Sequence, residues 1–329
     1  LFLSLILFAG AGLCTAHVQL DSQREAVSFR QEVRYGDPSA AYGATVGCNT
    51  MLDYQLFWDT TVPIEETLQP TTEFEFHKSR YSEWYSKPYD GLDLAGFSIS
   101  GLDDYADKPK EELSGLSLAF RELFDETAAG EEKERTIRVA DYCDYYPVEF
   151  SIDVPGCNVY FREYVNSNKK ETMMTIYDGF QAFFKIPVLP EETLDIHVRK
   201  HEDGQYGGGG YGSTGNDSFD LWNRSVVADD AVYFIINNRT RDNKVIDTSH
   251  IPGGYGIYCL PYYDAVGTDE DPYGYRGIEI DKLSMVYPLP EDLWSFQLDI
   301  TEDEKQLRLL TVENDGTCVF TLIDRATME

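Results

Sequence analysis

The 329-residue chain is 42% hydrophobic and 14% aromatic, enough to bury a core and too aromatic for a disordered composition. Lys and Arg number 27 against 58 Asp and Glu, and the formal charge of -31 repels phosphate backbones and anionic headgroups. Nucleic-acid binding is therefore disfavoured, and such a surface attracts cations and basic partners or simply stays solvated.

Residues 1–20 carry no charged side chain, and the first ionised group is Asp21. Two readings fit this stretch. A cleavable signal peptide has an apolar stretch followed by small residues, here Thr15 and Ala16. An uncleaved anchor needs roughly 20 apolar residues to cross the hydrocarbon, and Leu1 to Leu20 reaches that length. The chain starts on Leu rather than Met, so a basic segment and the initiator are expected upstream. Either reading places the remainder outside the cytoplasm, on the cell surface or secreted.

Past the leader, period-two alternation dominates. Phe74 and Phe76 alternate with Glu73 and Glu75, and Leu194, Ile196 and Val198 with Asp195, His197 and Arg199. Val232, Phe234 and Ile236 mark another strand, rich in β-branched and aromatic residues. Further strand-like runs include LDYQLFWDT, GLSLAFRELF, PVEFSIDV, NVYFREYV, ETMMTIYD, QAFFKIPV, SFQLDI and QLRLLTVE. Turn chemistry separates them at 36–38, 88–91, 154–156 and 314–316. Residues 111–127 are the best helix candidate, although Gly115 and a middle that is aromatic but poor in β-branched residues leave them ambiguous. Many short strands with frequent turns predict a sandwich, barrel or propeller.

Residues 204–215, GQYGGGGYGSTG, read as a flexible connector, with Tyr206 and Tyr211 as candidate contacts to a sugar or peptide. A second candidate loop is 247–258, where Gly253 and Gly254 permit a tight turn that would hold Tyr255 at its tip. Tyr255 there either lines a ligand surface or packs on its neighbour.

Beyond Cys14, the five cysteines Cys48, Cys143, Cys157, Cys259 and Cys318 are odd in number and scattered, unlike a disulfide framework. Cys143 and Cys157 can meet across a hairpin. The histidines (His17, His77, His197, His201 and His250) form no metal-ligand pair, and no nucleophile elbow is present. Asp264, Asp269, Glu270 and Asp271 suit calcium by oxygen content, but Pro272 and Tyr273 break the EF-hand order. A solvated acidic loop and no cofactor are expected. Sequons stand at Asn216, Asn223 and Asn238.

Residues 294–329 read WSFQLDITEDEKQLRLLTVENDGTCVFTLIDRATME: a strand, an acidic turn, a strand, an Asn-Asp-Gly turn, and a strand closing on Asp324. This segment resembles a β-propeller blade of the WD40-like or YVTN type. It departs from that pattern at Glu304, where such repeats usually have Gly. An earlier blade of the same scheme fits residues 220–290, so the resemblance covers about 220–329. It implies an all-β fold, an incomplete β-propeller-like array of antiparallel blades preceded by an N-terminal hydrophobic helix. Its parts are a leader (1–20), a β-rich stretch (21–203), the glycine/tyrosine loop (204–215) and the blades (216–329), the last one truncated. Closing a propeller takes at least four blades, so further blades are expected beyond Glu329.

Propellers serve as enzymes, adhesins and scaffolds, so this resemblance leaves activity open. With no catalytic constellation in sight, the expected function is non-catalytic binding or scaffolding outside the cytoplasm. The partner would be a protein or glycan, and the membrane would be met only through the N-terminal segment. The alternatives are a secreted carbohydrate-active hydrolase using a carboxylate pair in a propeller funnel, and a calcium-dependent surface structural protein.

Overall fold

The structure, a computed structural model, describes residues 2–26, 30–52, 56–76, 91–95, 99–100, 109–113, 115–161, 171–203, 206–212, 223–240, 244–269 and 274–329. It is mostly β, with 37% strand against 24% helix, its strands forming several antiparallel sheets, and it begins with an apolar helix. The chain divides into two compact units, Leu1–Pro88 and Tyr89–Glu329.

In the first unit, α1 (Phe2–Ala26) is long and apolar enough over Phe2–Gln19 to cross a membrane, and no part of that window is buried. A three-stranded meander follows: β1 (Thr45–Leu52), β2 (Leu56–Pro63) and β3 (Thr71–Phe76), paired in that order. The run LDYQLFWDT, read as one strand, is divided between β1 and β2. Thr60 and Thr72 share a hydroxyl hydrogen bond of 3.0 Å across β2 and β3.

The second unit corrects the all-β expectation. Residues 115–126 and 171–183 are helices, α2 (Gly115–Glu126) and α3 (Glu171–Phe183). Leu116, Ala119, Phe120 and Leu123 fall at helical spacing and are all buried. Ile176, Phe180 and Phe184 repeat every fourth residue, so ETMMTIYD winds into a helix despite its β-branched and aromatic residues. Tertiary packing outweighs local propensity here. Strands β4 (Gly91–Ala95) and β5 (Ile99–Ser100) precede α2, and β6 (Glu132–Arg138), β7 (Glu149–Val154) and β8 (Cys157–Phe161) run between the two helices. After α3 come β9 (Thr193–Lys200) and β10 (Tyr206–Gly212).

Strands β4, β7 and β8 form one sheet, while β5, β10, β9 and β6 form another in that order. As expected, Leu194, Ile196 and Val198 of β9 are buried. The glycine-rich stretch is a strand, not a connector: β10 pairs with β9 along seven residues, Tyr206 opposite Lys200 through Gly212 opposite Leu194. Backbone amides pair whether or not a side chain is present, so a polyglycine run can fill a strand position between β9 and β5. Lys200 of β9 donates to the carbonyls of Phe124 and Thr127, and Lys133 of β6 to that of Glu126. These ammonium groups satisfy the open carbonyls at the α2 C-terminus, where the helix dipole favours positive charge.

The remaining strands run as two consecutive meanders. Strands β11 (Asn223–Val227), β12 (Ala231–Ile236), β13 (Gly256–Pro261) and β14 (Ser284–Pro288) form the first. Strands β15 (Trp294–Ile300), β16 (Gln306–Val312) and β17 (Cys318–Asp324) form the second. Every residue of β12 is buried. Val232, Phe234 and Ile236 join a core with Tyr258, Leu92, Phe150, Phe180 and Phe184, built from β13, β4, β7 and the α3 region. Tyr233 and Ile235 join a second core with Tyr255, Ile257, Leu298, Leu307, Leu309 and Ile323, built from β13 and β15–β17. The first meander is thus a layer between two others.

The loop carrying Asp264 and Asp269 is pinned by backbone contact. Gly274 has φ 72°, and a Cβ there would meet the Gly156 carbonyl oxygen at 2.0 Å. Glu270, Asp271, Pro272 and Tyr273 lie outside the described residues, as do the turn residues 88–90, the sequon Asn216 and the expected connector ends 204–205 and 213–215. Cys143 and Cys157 carry no disulfide.

Phe180 stacks on Phe150 with ring centroids 4.1 Å apart. Phe180→Ala is expected to cost about 3–5 kcal/mol in urea unfolding; a loss under about 1 kcal/mol would contradict the packing of α3 against this core.

Candidate interaction surface

Four apolar residues of β15 alternate in sequence: Trp294, Phe296, Leu298 and Ile300. Unbroken alternation would put all four on one face. Instead the register shifts between Ser295 and Gln297, with Ser295 opposite Thr311 and Gln297 opposite Leu310. Phe296 is the extra residue of a β-bulge, which reverses the facing of everything after it. Leu298 and Ile300 consequently turn into the core beneath, while Trp294 and Phe296 stay outside at 43% and 51% exposure.

The register carries this outer face across the sheet. Val312 and Cys318 continue the row of Trp294; Leu310 and Phe320 continue that of Gln297. Asp299, Arg308 and Leu322 form the next row, with Arg308 donating to Asp299 at 2.7 Å. The result is a largely apolar face in which Trp294 and Phe296 are exposed, Val312, Phe320 and Leu322 half-buried and Leu310 buried, closed at one end by an ion pair.

The Trp294 end is held from behind. Asn238, wholly buried, donates to the carbonyls of Glu291 (2.7 Å) and Leu293 (3.3 Å), fixing the turn that delivers Trp294. Arg239 donates to the Asp292 carbonyl at 3.4 Å and to Asn314 Oδ1 at 3.2 Å, joining the two turns at that end. Arg224 donates to the carbonyl of the bulged Phe296 at 3.1 Å. In the 314–316 turn, Gly316 takes φ 86°, and Thr317 N–H donates to Asp315 Oδ1. At the strand end, Asp324 Oδ1 accepts the N–H groups of Ala326 and Thr327.

Glu304, placed where the resemblance leads one to expect Gly, adopts φ 54°. That conformation is disfavoured for a residue with a Cβ. Its carboxylate accepts the Asp229 N–H at 2.9 Å and lies 3.6 Å from Arg325. These contacts offset the strain and join the β15–β16 turn to the β11–β12 turn. Arg325 also pairs with Asp230 and lies over the Tyr233 ring, 5.1 Å from its centroid.

The electrostatics are one-sided. Residues 291–329 contain ten acidic side chains and three basic ones. All three cations are already in ion pairs: Lys305 with Asp303, Arg308 with Asp299, and Arg325 with Asp230. Hydrogen bonds from Thr301 and Lys305 hold the Asp303 carboxyl down to about 2, so it stays charged at physiological pH.

Tyr255 is not on this surface. It is 3% exposed and its hydroxyl accepts the Ser295 N–H at 3.2 Å. Burial pushes its hydroxyl pKa up, so it remains neutral. Gly253 and Gly254 do take positive φ, but the chain then carries Tyr255 inward, under the bulge. Tyr255 therefore positions β15 rather than lining a ligand surface. Tyr206 and Tyr211 occupy backbone positions in β10, opposite Lys200 and Asp195, away from Tyr255 in the pairing scheme. The structure does not bring the three candidate tyrosines together on one strand pair.

Two of the three sequons are structural. Asn223 donates from its buried amide to the Leu92 carbonyl at 2.6 Å, and Asn238 is engaged as described. His250 sits 3.9 Å from Asp247 and edge-on to Tyr145. Among the described residues no group of three or more His, Cys, Asp or Glu side chains is placed to hold a metal ion.

Compared with protein-family models, characterised proteins and solved structures, the chain matches none.

Tyr255→Phe leaves the buried Ser295 N–H without its acceptor and is expected to lower the unfolding free energy by about 1–3 kcal/mol. Trp294→Ser, at an exposed position, is expected to stay within about 0.5 kcal/mol of the parent. Chemical denaturation of the two variants showing the reverse order would overturn this assignment of inner and outer faces.

Proposed function

We propose that this chain is a non-catalytic binding or scaffold protein of the extracytoplasmic space, membrane-tethered or secreted through α1. In this reading the β4–β7–β8 sheet and the two C-terminal meanders are blades of a propeller-like stack, and the last blade presents the working surface. The observation that carries it is the exposed apolar outer face of β15–β17, set in a strongly acidic segment and supported from behind by Asn238, Arg239 and Tyr255.

Several features support the reading. Helix α1 has the length and apolarity of a signal or anchor. Two chain-consecutive antiparallel meanders lie against each other, and the first is covered on its other side too. A sheet face with Trp and Phe left in water is the kind of patch that marks a protein interaction site.

The compartment is tested by expressing the chain, behind an initiating methionine and a short basic segment, in a secretion-competent host. Protein in the membrane or medium, cleaved by protease added to intact cells, is the expected outcome. Recovery in the cytosol, protected from that protease, would sink the proposal.

A further inference from the structure

We propose that the outer face of the β15–β17 sheet docks a basic amphipathic segment of a partner protein, with Trp294 and Phe296 as its apolar anchors. This inference rests on the binding-protein reading above and deepens it by naming the partner's chemistry.

Two independent properties of the face define the occupant. The first is apolar. Trp294 and Phe296 are 43% and 51% exposed, and the rows behind them run into Val312, Phe320 and Leu322. Large aromatic side chains of this kind dominate binding energy when a partner excludes water around them. The bulge makes the exposure a built feature, because a regular strand would have carried Trp294 and Phe296 to the same side as Leu298. Their backbone is also held: the Leu293 carbonyl accepts from Asn238, the Ser295 N–H donates to Tyr255, and the Phe296 carbonyl accepts from Arg224. The anchors stand on a fixed scaffold, so little ordering accompanies binding.

The second property is charge. The same 39 residues, 291–329, carry ten acidic groups against three basic ones, and each of the three cations is held in an ion pair. These groups are part of a whole-chain formal charge of -31. An acidic partner, or a second copy of this chain, meets repulsion at every approach. A segment with apolar residues on one side and Lys or Arg on the other meets attraction at the rim and burial at the centre. Opposite fields also speed encounter, in a salt-dependent way.

The test uses the full chain in nanodiscs of neutral phosphatidylcholine, with binding to empty discs subtracted. Three fluorescent octapeptides are the probes: alternating Lys with Val or Leu, the same peptide with Glu for Lys, and alternating Lys with Ser. Fluorescence polarisation is expected to show the Lys/Val/Leu peptide binding at least about tenfold more tightly than either control, and more weakly as salt rises. The Trp294→Ser, Phe296→Ser double variant is expected to lose on the order of tenfold in affinity, whereas Val266→Ser, at a residue 87% exposed elsewhere, changes nothing. Equal binding of the Lys/Ser peptide would reduce the effect to attraction by a polyanion and overturn the proposal. So would a double variant that keeps both its thermal midpoint and the parent affinity. A variant that loses its midpoint is replaced by Trp294→Lys alone, where loss of the apolar anchor and a new positive charge facing a basic peptide must still abolish binding. Failure here leaves the compartment reading intact, since that depends on the protease-accessibility experiment.

Discussion

Burial of β12 on both faces is the constraint from which the rest of the second unit follows. A strand whose six residues are all removed from water must be covered above and below. One cover comes from α3 and the β4–β7–β8 sheet, the other from β15–β17. Because side chains alternate along a strand, the odd and even residues of β12 belong to two separate cores. The order of the sheets is therefore set by apolar burial, and polar contacts such as that of Asn223 with Leu92 hold the layers in register.

The second cover has only one buried face of its own. Leu307, Leu309 and Ile323 complete the inner core, and on the opposite face Trp294 and Phe296 stand exposed beside half-buried Val312, Phe320 and Leu322. The bulge at Phe296 decides which residues those are. Its energetic support comes from below, where Tyr255 accepts the Ser295 N–H, and from the side, where Arg224 reaches the Phe296 carbonyl. Acidic turns surround the face, and their few cations are occupied within the sheet. An apolar centre and an anionic margin thus arise from the same short stretch of chain.

Much of the β architecture was legible in the sequence. The alternation of Leu194, Ile196 and Val198, the buried run at 231–236 and the three strands after Trp294 all form as read. Helix α2 falls within the helix candidate 111–127, whereas α3 is less legible, because it draws its core face from Ile176, Phe180 and Phe184, residue types that favour strands by propensity. The glycine run at 206–212 reads as a connector because its pairing depends on β9, a long-range contact that composition does not reveal. The same limit explains Tyr255. A Gly-Gly turn predicts a reversal but not whether the residue after it points into water or into the core. Trp294 and Phe296 were visible as strand residues, and only the register across β16 shows that they part company with Leu298 and Ile300. Glu304 was the exception, a residue whose departure from an expected glycine coincides with a left-handed backbone.

Native-state hydrogen exchange followed residue by residue tests the layered arrangement most directly. Amides of β12 and of the facing part of β13 should exchange only through global unfolding, with β15 and β17 opening at lower free energy. If β12 amides exchanged as readily as those of β15 and β17, the first meander would not be the middle layer, and the assignment of a free outer face to β15–β17 would fall with it.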